Sequence, residues 1–129
     1  KPGLVEVLMR AGDKGETSKV KQLRLWALAN LAYATENKVP MFANPGLAEL
    51  LMRAAGKGET SEIKREGLRT LANLAYAVDN AMSMLAKPGL VELLMRAVDK
   101  VETNEVKLEG LRTLYTLALA DGNTAPMVR

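Results

Sequence analysis

The chain has 129 residues, of which 48% are hydrophobic and only 4% aromatic, and its formal net charge is +3. It contains neither histidine nor cysteine, which removes the commonest general base, the thiol nucleophile and the usual zinc ligands. We therefore expect a protein that is not an enzyme and that uses no cofactor or metal. Basic residues alternate with acidic ones, without the dense basic block of a nucleic-acid-binding tail.

Charged residues interrupt every apolar run, so no segment reaches the length of a membrane span, and no signal peptide is recognisable. These features predict no membrane partner and an intracellular location, cytoplasmic or nuclear. The sequence begins at Lys1-Pro2-Gly3 without a methionine, which we expect of a piece of a longer chain.

The sequence repeats with a period of 43 residues. The tripeptide Pro-Gly-Leu begins at residues 2, 45 and 88, and about 25 of the 43 positions are identical between the first two units. A period in the low forties is typical of helical arrays or propeller blades, and the absence of period-two patterning removes propellers. We predict one all-α domain over residues 1–129, with units at about 1–36, 37–79 and 80–121 and a partial helix at 122–129.

A complete unit is predicted to hold three helices, named here by their order within a unit as first, second and third. In the second unit the first helix is expected at about 38–43, the second at 46–55 and the third, which is the long one, at 61–78. The first unit holds only a second helix at about 3–11 and a third at 18–35, and the third unit opens with a first helix at about 81–86. The loop Gly56-Lys57-Gly58-Glu59-Thr60 ends one helix with glycines, and Thr60 or Ser61 can cap the next. Leucines at spacings of three and four give each long helix a core face.

Polar and aromatic residues share a second face of the long helices, about half a turn from the leucines. The candidate binding residues on this face are, in chain order, Trp26, Asn30, Tyr33, Glu66, Arg69, Asn73, Tyr76, Glu109, Arg112 and Thr116. An asparagine amide both donates and accepts hydrogen bonds, so repeated asparagines can pair with the backbone of a peptide whatever its sequence. Glutamate and arginine at spacing three can partly neutralise each other, which favours a partner of mixed charge.

The segments Trp26-Ala27-Leu28-Ala29-Asn30-Leu31-Ala32 and Gly67-Leu68-Arg69-Thr70-Leu71-Ala72-Asn73-Leu74-Ala75 resemble the third helix of an armadillo repeat. The resemblance covers essentially the whole chain. It implies a right-handed α-solenoid of three-helix repeats whose third helices line a concave groove for an extended peptide. In that family an asparagine on each third helix bonds the peptide backbone, and a tryptophan one turn earlier shapes pockets for peptide side chains.

Under this resemblance Asn30 and Asn73 match the asparagine position, and Trp26 matches the tryptophan position. The sequence departs from the family's pattern at Thr116, and again at Arg69 and Arg112, which stand where tryptophan is expected. The resemblance also implies that Gly67 and Gly110 lie where a first and a third helix pack closely, a position that Arg24 occupies in the first unit.

The leading hypothesis is a protein–protein interaction scaffold that binds an extended peptide or disordered segment. A structural or self-assembling repeat unit is the alternative, since the chain starts at a second helix and ends with a first helix. Residues 123–129 of one molecule could then dock beside residues 2–35 of another and give a homo-oligomer. A helical-repeat RNA binder is a third hypothesis. The Gly-Lys-Gly-Glu-Thr loop lacks the spacing of a phosphate-binding loop and follows a helix, so nucleotide binding is not expected.

Overall fold

The computed structural model describes residues 3–10, 17–99 and 101–121. These residues form α-helices and no strand, which confirms the predicted all-α class. The helices are α1 Leu4–Arg10, α2 Ser18–Tyr33, α3 Thr35–Phe42, α4 Leu47–Lys57, α5 Ser61–Ala75, α6 Val78–Ala86, α7 Leu90–Ala97 and α8 Asn104–Asp121. The long helices α2, α5 and α8 begin at residues 18, 61 and 104, so the helices follow the period of the sequence. The short helix predicted at 122–129 lies outside the described residues.

The second helix of each unit begins one residue later than predicted, at the leucine of Pro-Gly-Leu. Gly46 and Gly89 have φ of 87° and 84° and precede α4 and α7. This left-handed conformation is open to glycine at little cost and ends any helix that would include it. The chain therefore turns at the glycine, and the leucine that follows enters the core, with Leu47 fully buried.

Threonine caps all three long helices, as predicted for Thr60. The hydroxyl oxygens of Thr17, Thr60 and Thr103 accept hydrogen bonds from the backbone N–H groups of the residues three positions on, at 3.2, 3.1 and 3.3 Å. Each bond satisfies one of the donors that a helix start leaves without a partner.

The long helices α2 and α5 end earlier than predicted, at Tyr33 and Ala75 instead of 35 and 78. Ala34 and Ala77 are extended, with ψ of 131° and 125°. The side chain of Asn80 supplies the reason, because its Nδ2 donates to the carbonyl of Leu74 at 3.0 Å. This bond closes the last turn of α5, and the chain leaves the helix directly afterwards.

The core lies between the long helices. α5 packs against α2 on one side and against α8 on the other, and α4 and α7 pack beside α5 and α8. The largest fully buried side chains are Leu25, Leu28, Leu47, Leu51, Leu68, Leu71, Leu74, Met84, Leu90, Leu94, Leu117 and Glu66. Most of them belong to the leucine faces of the long helices and of their second-helix neighbours, as the spacing predicts.

A glycine allows the second helix of the second unit to approach the third. A Cβ on Gly67 would lie 3.0 Å from the Cβ of Ala54 and from the backbone nitrogen of Ala55. Both neighbours belong to α4, the second helix, so the expectation that this glycine faces a first helix is wrong. The first unit has Arg24 at this position, where its Nη1 donates to the carbonyl of Met9 at 3.1 Å.

The methionines that recur with the repeat differ in burial from one position to another. Met41 and Met84 are buried, and Met52 packs against the core with its terminal methyl near Gly89 of the next unit. Met95, the third-unit counterpart of Met52, is 59% exposed. Its burial would need a further unit beside it. Among the described helices none combines the length and the apolar character that a membrane crossing requires.

Candidate functional site

The candidate site is the face formed by the polar and aromatic side chains of α2, α5 and α8, called here the α2–α5–α8 face. The structure brings most of the predicted residues together on it. Tyr33 is 78% exposed, Tyr76 is 55% exposed and Trp26 is 40% exposed. Of the two asparagines on this face, Asn30 is exposed and Asn73 is only 5% exposed.

Arginines connect each long helix to the one before it. Arg69 of α5 donates through Nη2 to Oδ1 of Asn30 on α2, at 2.9 Å. Arg112 of α8 donates through Nη2 to Oδ1 of Asn73 on α5, at 3.2 Å. The same pair of residue types thus meets twice, one repeat apart.

Glutamates three positions earlier neutralise these arginines, as the spacing predicted. Arg69 Nη1 lies 2.9 Å from Oε1 of Glu66, whose side chain is 1% exposed. Arg112 Nη2 lies 2.9 Å from Oε1 of Glu109. Partial burial works against the charge of Arg112, but its hydrogen bonds to Tyr76 and Glu109 outweigh burial and raise its pKa. These sites are therefore charged but close to neutral as pairs.

Asn73 uses its amide inside the protein. Its Nδ2 donates to the backbone carbonyl of Ala29 at 2.9 Å, while its Oδ1 accepts from Arg112. Asn30 has the corresponding bond to an arginine but is exposed. In the described part of the chain, the amide nitrogen of Asn30 has no acceptor, so it is open to a ligand.

Thr116 stands at the asparagine position of α8 and takes a different role. Its hydroxyl donates to the carbonyl of Arg112 at 2.9 Å, within its own helix. A threonine bonded in this way presents no amide to the face. The row of asparagines therefore ends at α5.

Lys38 also belongs to this region, although the residue pattern of the sequence does not indicate it. It is 6% exposed, and its Nζ donates to the carbonyls of Ala32, Tyr33 and Asn73 at 2.6, 3.1 and 2.9 Å. It also lies 6.0 Å from the ring centre of Tyr33 and 5.7 Å from that of Tyr76. Burial, together with the charge of Arg112, lowers the pKa of Lys38.

No periodic signal could have revealed Lys38, because Ala81 stands at the corresponding position of the next unit. The repeated asparagines did carry a signal. Asn37 and Asn80 follow the ends of α2 and α5 and donate through Nδ2 to the carbonyls of Leu31 and Leu74. An asparagine at fixed distance beyond a long helix indicates this closing bond.

The ends of the face differ from its middle. At the positions of Glu66 and Arg69, the first unit has Leu23 and Trp26, which are 48% and 40% exposed. Lys19 places its Nζ 5.8 Å from the ring centre of Trp26. On its outer side α2 thus carries an apolar patch at the positions where α5 carries the Glu66–Arg69 pair.

The described residues contain no group of three or more acidic side chains arranged to hold a metal ion. No protein-family model matches the chain, and neither comparison, one with curated proteins and one with solved structures, finds a match.

Proposed function

We propose that this chain is an armadillo-type right-handed α-solenoid of three-helix repeats and that its α2–α5–α8 face binds an extended peptide or disordered segment. The regular succession of helices supports the repeat assignment. The long helices start one period apart, and the short helices α3 and α6 each follow a long one. Contacts run from α2 to α5 and from α5 to α8, as successive units of such an array require.

The observation that carries the binding proposal is the repeated Asn–Arg–Glu connection with exposed tyrosines beside it. Arg69 meets Asn30, Arg112 meets Asn73, and each arginine also pairs with its own glutamate. A ligand lying across the three helices would meet this connection twice, once between α2 and α5 and once between α5 and α8. Regular spacing of this kind suits a chain in extended conformation, whose own polar groups also recur at a fixed distance.

The hydrogen bonds that already exist within the face determine which groups remain available to hold such a ligand. Asn73 has its amide engaged by Ala29 and Arg112, so main-chain recognition at α5 falls to other donors. Asn30 can offer its amide nitrogen to a peptide carbonyl. The guanidinium groups of Arg69 and Arg112 remain partly exposed and can donate further.

The exposed tyrosines supply the apolar part of the contact. Tyr33 and Tyr76 present rings that can stack with aromatic or aliphatic side chains, and Trp26 extends this surface across α2. Because each arginine has a glutamate partner, strongly basic ligands gain little from the face. We expect a ligand of mixed charge with apolar side chains, bound at about 10 μM or more weakly because few groups contact it.

The test starts from a displayed library of random peptides, selected on the 129-residue chain and then titrated in solution. Trp26 is the only tryptophan, so its fluorescence reports on the face directly. Asn30→Ala removes about one hydrogen bond, worth about 1 kcal/mol, and should weaken binding about fivefold. Tyr33→Ser removes an exposed ring and should weaken binding by a similar factor.

Tyr115→Ser is the matched control. Tyr115 is 67% exposed on α8, but it corresponds to Ala72 in the repeat and not to Tyr76, so it lies off the proposed face. Its substitution should leave the affinity within about twofold. Equal losses in Tyr33→Ser and Tyr115→Ser, or unchanged affinity in Asn30→Ala and Tyr33→Ser, would contradict the assignment of the face.

A further inference from the structure

An open pocket of about 420 Å³ lies beside the first unit, away from the α2–α5–α8 face. It is called here the α1–α3 pocket, and its lining includes Leu4 of α1, Leu31 at the end of α2, and Asn37, Pro40 and Met41 of α3. The lining is mainly apolar, and Leu4 is 40% exposed. The polar side chains of the lining are the amides of Asn37 and Asn44 and the carboxylate of Glu6.

In the second unit a helix occupies the corresponding place. Leu47 and Leu74, the counterparts of Leu4 and Leu31, are fully buried. The helix that packs there is α3, which contacts α4, α5 and α6. The α1–α3 pocket is therefore equivalent in position to the binding site of a short helix like α3.

The hydrogen bonds of Asn37 support this equivalence. Asn80, its counterpart, donates through Nδ2 twice, to the carbonyl of Leu74 at 3.0 Å and to the carbonyl of Lys38 in α3 at 2.8 Å. Asn37 makes the first of these bonds, to Leu31 at 2.8 Å. In the described part of the chain the second acceptor is absent. A short helix in the pocket would provide it.

The sequence of residues 123–129 has the pattern of such a helix. It reads Asn-Thr-Ala-Pro-Met-Val-Arg, beside Asn-Lys-Val-Pro-Met-Phe-Ala at 37–43 and Asn-Ala-Met-Ser-Met-Leu-Ala at 80–86. Asn, an apolar residue two positions on, and Met therefore stand in the same register in all three segments. In α3 and α6 the methionines at this register, Met41 and Met84, are buried.

We propose that the α1–α3 pocket binds residues 123–129 of a second copy of this chain. Residue 122 alone connects this segment to α8, and α8 packs on α5, α6 and α7. The segment therefore leaves the chain far along the helix order from its own α1–α3 pocket and reaches that of another copy. Met127 enters the apolar lining beside Leu4, and Asn37 donates its second N–H to the carbonyl of Thr124.

The end surfaces that this docking brings together are both apolar. Repeat geometry would set α8 of one copy beside α2 of the next, as α5 lies beside α8. Leu111 and Tyr115 of α8 are 54% and 67% exposed, and Leu23 and Trp26 of α2 are 48% and 40% exposed. Within the chain, the counterparts of Leu111 and Tyr115 on α5 are fully buried. Burying such patches favours association.

This contact is head to tail, so it is heterologous and can continue from copy to copy. The proposal concerns a different surface from the proposed peptide face. The test is molar mass by size-exclusion chromatography with light scattering, from ~10 μM to ~1 mM, the range in which weak contacts become populated. The wild-type mass should rise with concentration above the 14.0 kDa of one chain.

Two variants separate the two halves of the contact. Met127→Asp places a charge on the docking segment and keeps an intact pocket. Leu4→Asp places a charge in the pocket and keeps an intact segment, and an acidic residue in the first turn of a helix is compatible with its dipole. Each variant alone should stay at 14.0 kDa. Their equimolar mixture should reach the mass of two chains and stop there.

Val101→Asp is the control, because Val101 is an apolar residue that is 82% exposed in a loop outside the pocket. It should associate like the wild type. Circular dichroism on every variant checks that the helices are retained. The proposal is overturned by a wild-type mass that stays at 14.0 kDa, by association of Met127→Asp alone, or by a mixture that remains monomeric. Peptide titration of Met127→Asp tests the α2–α5–α8 face separately.

Discussion

Lys38 places a positive charge among backbone carbonyls where two units meet. Its Nζ donates to Ala32 and Tyr33 at the end of α2 and to Asn73 on α5. Such carbonyls have no partner within their own helix, so the lysine performs for a helix end what a cap performs for a start. The sequence alone gives no reason to distinguish Lys38 from the surface lysines, and only the structure shows that it is buried.

Replacing Lys38 with methionine keeps the apolar stem and removes the three donors. We expect Lys38→Met to lower the free energy of unfolding by about 2–4 kcal/mol, because the carbonyls lose charge-assisted bonds in a buried place. Urea unfolding followed by circular dichroism measures it. Lys57→Met, at an exposed lysine of α4, should change the value by less than about 0.5 kcal/mol. Equal effects of the two substitutions would contradict the role of Lys38.

The comparison of the wild type with Lys38→Met also tests how the free energy of unfolding depends on pH. Burial lowers the pKa of Lys38, so the folded protein releases this proton at lower pH than the unfolded chain. The unfolded state then binds more protons between the lowered pKa and the ordinary value, and the free energy of unfolding rises with pH in that window. The difference between wild type and Lys38→Met should therefore widen from neutral pH toward about pH 10.

Among helices, the approach of α4 to α5 depends on a residue without a side chain. A Cβ at Gly67 would meet the Cβ of Ala54 and the backbone of Ala55 at 3.0 Å. At Gly110, the counterpart on α8, the nearest atoms are side-chain carbons of Ala97 and Val98 at 3.2 Å, and the backbone stands back at 3.7 Å. The two glycines therefore differ in how much their surroundings can adjust.

Glycine to alanine in a helix interior ordinarily stabilises by about 1 kcal/mol. We expect Gly110→Ala to come close to that gain or to be neutral. Gly67→Ala should instead destabilise by about 1–2 kcal/mol, because the backbone of α4 must move. Chemical unfolding of both variants measures the contrast. A gain in stability for Gly67→Ala would contradict the claim that the backbone of α4 leaves no room for a side chain at position 67.

At the scale of elements the sequence predicts much of what the structure shows. The order of helices, the leucine faces and the threonine caps all follow from spacing and residue type. The spacing predicts ends for α2 and α5 that are two to three residues too late, because the closing bonds come from Asn37 and Asn80, which lie beyond these helices. Spacing within a helix carries no information about a cap that arrives from the next element.

The sequence predicts which residues form the candidate site, but it does not predict the hydrogen bonds between them. Trp26, Asn30 and Tyr33 share the exposed face that their spacing indicates. Asn73 stands at the equivalent position and is nonetheless buried, because Ala29 and Arg112 from the two neighbouring long helices use its amide. Such bonds join residues about one repeat apart, so they depend on how units stack. A residue pattern within one unit does not specify that.

For the whole molecule, the three long helices form one continuous surface joined by arginine–asparagine contacts, and the ends carry apolar patches. In the middle of the surface the polar side chains form hydrogen bonds with one another, whereas Asn30, Tyr33 and Tyr76 have groups exposed to solvent. A peptide would thus be held mainly at the exposed residues of α2 and α5. The proposed face therefore does not include the loops between the second and third helices, such as the loop around Glu59.

The most direct measurement is an amide chemical-shift map of the isotope-labelled chain with a library-selected peptide, recorded at a concentration at which the chain is monomeric. The account predicts that the largest shifts fall on α2 and α5 around Asn30, Tyr33 and Tyr76, with smaller ones on α8 near Arg112. Shifts confined to α1, α4 and α7, or to the loops that precede the long helices, would contradict binding at the α2–α5–α8 face.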